Sequence, residues 1–86
     1  MKFQGALIRE QGVKFGVVIV KQHVINDRTE ANKIIQGFMP ILDGVPIVLM
    51  AQDSGGKPTY LGRPDLAKFL ANSPLSAIPW KEYTIN

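Results

Sequence analysis

The sequence predicts an α+β domain, a two-layer sandwich in which a mixed, mainly antiparallel sheet of four to five strands carries two helices packed on one face. The expected chain order is β-β-α-β-β-α-β. Three observations predict it. Residues 46–51, PIVLMA, are almost wholly apolar with β-formers at their centre, the pattern of a strand buried on both faces in the middle of a sheet. Residues 3–20 read as a hairpin around a glycine-bearing loop. Ala31, Ile34, Ile35, Phe38 and Leu42 recur at helical spacing.

Length and composition set the frame. Eighty-six residues at 45% hydrophobic content fit one compact domain, residues 1–86, with a single modest core whose thin stability margin dimerisation would reinforce. The absence of cysteine removes disulfides, thiolate metal sites and cysteine nucleophiles, and it permits a reducing compartment, so a cytoplasmic location is expected. The longest apolar runs, residues 17–20 and 46–51, fall far short of the ~20 residues that cross a bilayer, so no membrane partner is expected. Nor does the N-terminal stretch have the long apolar region of a secretory signal.

In the hairpin, a three-residue loop Glu10-Gln11-Gly12 would place glycine where positive φ is wanted. This sets Arg9 opposite Val13 and Leu7 opposite Phe15, collecting Phe3, Leu7, Val13, Phe15, Val17 and Ile19 on a core face. The other face then carries Lys2, Gln4, Ala6, Ile8, Lys14, Gly16, Val18 and Val20. Next comes a helix with Asp27 and Glu30 at capping-box spacing, ending near Met39 because Pro40 cannot continue it. A strand, helix, strand succession predicts that the strands around Val17 and Val48 are parallel. The turn Asp53-Ser54-Gly55-Gly56-Lys57-Pro58 returns a short antiparallel strand at residues 59–61. Pro64 and Asp65 open a second helix with Leu66, Phe69 and Leu70 on its buried edge, and Asn72-Ser73-Pro74 stops it. Pro79 releases residues 80–85 as an edge strand.

Several stretches could carry chemistry. Ser54-Gly55-Gly56-Lys57 lacks the spacing of a phosphate-binding loop and leads into a strand, so it reads as a hairpin turn. His23 is the only histidine; with Asp27 and Glu30 it does not make the donor set of a zinc site, and no cofactor or metal is expected. Gly62 and Arg63 at a helix start could hold an anion, but Asp65 already complements that helix end. Trp80 is expected to close the core over the helix edge. In its succession of strand, turn, strand, glycine and helix, the stretch from 44 to 71 resembles the C-terminal half of thioredoxin and glutaredoxin folds. That resemblance implies shared topology only, since the redox cysteine pair of those families is absent.

The function expected from these features is a small soluble, non-catalytic binding module. Its exposed sheet face or edge, marked by Lys2, Gln4, Ile8, Lys14, Val18 and Val20, would meet another protein or a second copy in a homodimer. Charge motivates an alternative. Residues 1–25 hold Lys2, Arg9, Lys14 and Lys21 against Glu10, while residues 26–86 balance, so the whole net charge of +3 sits in the N-terminal quarter. Weak nucleic-acid binding by the hairpin would use that excess and the narrow surface at Ala6 and Gly16, though Phe3 and Phe15 fall on the core side in this register. A small enzyme is the remaining reading, with a site assembled from residues distant in sequence.

Overall fold

The structure, a computed structural model, describes residues 2–10 and 12–85. Strand β1 (Lys2–Glu10) pairs antiparallel with β2 (Val13–Ile19); helices α1 (Gln22–Ile25) and α2 (Arg28–Phe38) lead to β3 (Ile47–Gln52) and β4 (Pro58–Leu61). Helix α3 (Pro64–Ala71), a 3₁₀ turn (Leu75–Ala77) and β5 (Lys81–Thr84) complete the chain. The five strands form one mixed sheet in the order β4-β3-β2-β1-β5. The β2 and β3 strands are parallel and adjacent as the crossover predicts, while the other three pairings are antiparallel.

The helices stand where local chemistry puts them. The Asp27 carboxylate accepts from the Thr29 and Glu30 amides at 3.1 and 3.2 Å, which satisfies two donors that the first turn of α2 leaves open. After Phe38 the chain turns through Asp43 and Gly44 at φ 61° and 71°, a left-handed pair in which the glycine is free of strain. Helix α3 starts at Pro64, and its end is tied by Asn72 and Ser73 side chains donating to the Lys68 and Phe69 carbonyls at 2.9 Å. Helix α1, a single turn with no side-chain cap, was not anticipated from the sequence.

Two expectations change. Glu10 pairs with Val13, and Ile8 with Phe15, so the hairpin register lies one residue away from that expected from a three-residue loop. Gln11 itself lies outside the described residues; Gly12 takes the anticipated positive φ of 78°. Because side chains alternate, this one-residue difference turns β1 over relative to β2. Ala6 and Ile8 now share a face with Phe15 and Val17, and Phe3 and Leu7 share the opposite face with Val18 and Val20.

The second change concerns the layers. Phe3, Val18, Ile47 and Leu49 form one core with Val24 of α1, Ala31 of α2 and Leu42. Ala6, Phe15, Val17, Val48 and Met50 form another with Leu66 and Leu70 of α3 and Ile78. Helix α3 therefore lies on the opposite side of the sheet from α1 and α2, and the two helices expected on one face are divided between both. Both sides of β3 are apolar, and each needs a cover. Trp80 packs on the α3 side, its indole N–H donating to the Leu75 carbonyl at 3.1 Å.

Candidate functional site

The residues expected to mark one exposed sheet face are divided by the hairpin register. Lys2, Gln4 and Ile8 point to the α3 side; Lys14, Val18 and Val20 point to the α1 and α2 side. Val18 is 1% exposed and belongs to the core, and Ile8 and Val20 are half-buried against apolar neighbours. The narrow surface at Gly16 and Ala6 is likewise occupied from within. Leu42 and Ile47 side chains lie 3.0 Å from where a Gly16 Cβ would be, and Ala6 is fully buried. Among the described residues, Ile41 is the large hydrophobic side chain left exposed, so no broad apolar patch survives on the sheet.

The basic hairpin is partly neutralised by the fold. Lys14 reaches Asp43 at 3.3 Å and Lys2 reaches Glu82 at 3.8 Å. Phe3 packs against Phe38 and Tyr83, and Phe15 against Phe69, so neither ring is offered to a base.

What remains open is a groove of about 330 Å³ beside α2. One wall is a helical stripe, Arg28, Asn32, Ile35 and Met39, spaced i, i+4, i+7 and i+11. The facing wall is the end of β4 and its continuation, Leu61, Gly62 and Arg63, and Pro46 and Ile47 contribute to the floor. Close passage of this second wall over β3 requires glycine. A Cβ at Gly62 would lie 3.1 Å from the Ile47 carbonyl oxygen and from Val48.

The groove is apolar within and cationic at its rim, with no acidic residue in its lining. Arg63 is forked by Asp65 through two 2.8 Å hydrogen bonds. That pairing holds the Asp65 carboxyl below the usual carboxylate range and raises the Arg63 guanidinium, first through the hydrogen bonds and also through the opposite charges. Arg28 carries no such pairing among the described residues, which makes it the more available cation.

The other sequence candidates are accounted for locally. The Asp53 carboxylate accepts from the Gly55 and Lys57 amides at 2.9 Å and the Asp53 carbonyl from the Gly56 amide, so these three donors are consumed within the turn. His23 is exposed on α1, and among the described residues no three His, Cys, Asp or Glu side chains gather as a metal site. A second hollow of about 370 Å³ lies between the hairpin tip and α3, lined by Glu10, Val13, Asp65 and Lys68 among others. Its mixed charges select no ligand class. Burial raises the Tyr60 phenol on β4, whose oxygen lacks a hydrogen-bond partner among the described residues.

Sequence reasoning singled out Gly62 and Arg63 but missed Arg28, Asn32 and Met39 as their companions. The stripe was present at helical spacing, yet the facing wall lies more than twenty positions further on. No described helix is long and apolar enough to cross a membrane. Comparison with protein-family models, curated proteins and solved structures finds no match for the chain.

Proposed function

We propose that this chain is a non-catalytic binding module, acting in the cytoplasm, whose contact surface is the groove between α2 and the β4 to α3 link and whose partner is another protein. The observation that carries the reading is an apolar groove with Arg28 at its rim, a cation without an acidic partner among the described residues, while Arg63 on the facing wall is held by Asp65. Such a surface favours an apolar segment bearing a carboxylate, because a guanidinium binds carboxylates through directed hydrogen bonds as well as charge. The sheet face no longer supports the contact, since its apolar residues pack within the fold. Nucleic-acid binding by the hairpin has less support, because Lys2 and Lys14 lie against acids.

Selection of a displayed decapeptide library on the immobilised protein, with counter-selection on Arg28→Glu, tests the proposal. Enriched clones should carry Asp or Glu among apolar residues, bind Arg28→Glu roughly tenfold more weakly, and shift the amides of Asn32, Leu61 and Gly62. Absence of enrichment, or clones that bind Arg28→Glu equally well, would overturn it.

A further inference from the structure

The sheet ends in two strands that differ in how they meet solvent. β5 carries Lys81 and Glu82, the latter reaching Lys2 diagonally at 3.8 Å, and charges of this kind discourage further strand pairing. β4 carries Pro58, Thr59, Tyr60 and Leu61, with no charge, and it lies directly beside the groove. The backbone pattern of β4 follows from its turn. The Asp53 amide donates to the Lys57 carbonyl at 3.0 Å, which makes that opposed pair a hydrogen-bonded one. Alternation along an antiparallel ladder then assigns inward bonds to Thr59 and Leu61, opposite Ala51 and Leu49. Tyr60, the Pro58 carbonyl and the Gly62 amide turn outward. Proline sits at an outward position, where its missing N–H costs the ladder nothing.

We propose that the partner segment binds as an added strand on the outer edge of β4, exchanging main-chain hydrogen bonds with Tyr60 and placing an acidic side chain against Arg28. The inference rests on the reading of the groove as the contact surface. An added strand meets two kinds of site at once. Its backbone completes the edge, and its alternate side chains, level with Leu61, fall on the face where α2 presents Ile35 and Met39. Charge selects an acidic partner over a second copy of this chain, because a second copy's β4, Pro58–Leu61, carries no carboxylate to set against Arg28.

The test pairs changes on both sides of the contact. The probes are acetyl-Val-Thr-Glu-Thr-Val-Thr-amide, which sets Val, Glu and Val on one face, its Lys-for-Glu counterpart, and versions N-methylated at single positions, each titrated while protein amide spectra are recorded. The acidic probe should shift Tyr60 and Gly62, and the Lys probe should bind roughly tenfold more weakly. N-methylation should weaken binding roughly fivefold at alternate positions and leave the intervening ones unchanged. On the protein side, Tyr60→Val keeps the outward N–H and should retain binding, whereas Tyr60→Pro removes it and should lose binding to a similar degree. Groove shifts that are indifferent to every N-methylation would overturn strand addition and leave the groove as a binding site. No shift with any probe would also overturn strand addition, while the displayed library judges the module reading separately.

Discussion

Val18 sits at 1% exposure on the side of the sheet that α1 and α2 cover, whereas Ile8 is half-buried on the other side. Val18→Glu would place an unpaired carboxylate in an apolar core and should cost on the order of 3–5 kcal/mol, seen as a large fall in the urea midpoint. Ile8→Lys can carry its ammonium to water along a half-exposed path and should cost on the order of 1 kcal/mol. Equal midpoints for the two variants would contradict the register. The register was the least legible feature of the sequence at this scale. Strand β1 has apolar residues at both parities, Phe3 and Leu7 on one and Ala6 and Ile8 on the other, so alternation alone cannot choose between two pairings. Gly12 announced a turn, but its length had to come from the pairing of Glu10 with Val13.

Elements with strong local signals were legible. Asp27, the apolar stripe and Pro40 delimit α2 almost where it is found, Arg28–Phe38, because a cap, a periodicity and a breaker each act within one turn. Asp27→Ala removes the acceptor for two amides and should lower stability by about 1 kcal/mol; an unchanged thermal midpoint would show that the cap contributes nothing. Helix α1 escaped notice because four residues without a cap leave no periodicity to read. The division of the helices was legible in principle. Residues 47–51 are buried on both parities, and a strand apolar on both sides requires layers on both sides. Assigning both helices to one face left half of that demand unmet, and the supposed open face followed from that assignment.

At the scale of the whole molecule, the sheet is a central layer, and its openings lie at its margins. The groove arises where α2 stops covering the sheet and the Gly62 link passes close over β3. No local pattern announces such a site, since its walls, α2 and the end of β4, meet only because each lies against β3. Its chemistry was half visible: Arg63 stood out as a candidate anion ligand, with Asp65 as its competitor, and the structure pairs those two. Arg28 is exposed at the first position of α2, and no local pattern ties it to the opposite wall. The proposed role follows from this arrangement, in which an uncharged edge strand and a cationic apolar groove lie side by side while the opposite edge is charged.

Amide hydrogen exchange on the free protein, resolved by residue and repeated with the acidic hexapeptide, tests the claim that β4 is an open, usable edge. Thr59 and Leu61 should exchange slowly and Tyr60 and Gly62 fast, with Tyr60 slowing when the peptide is present. Slow exchange at Tyr60 in the free protein, or fast exchange that the peptide leaves untouched, would contradict it.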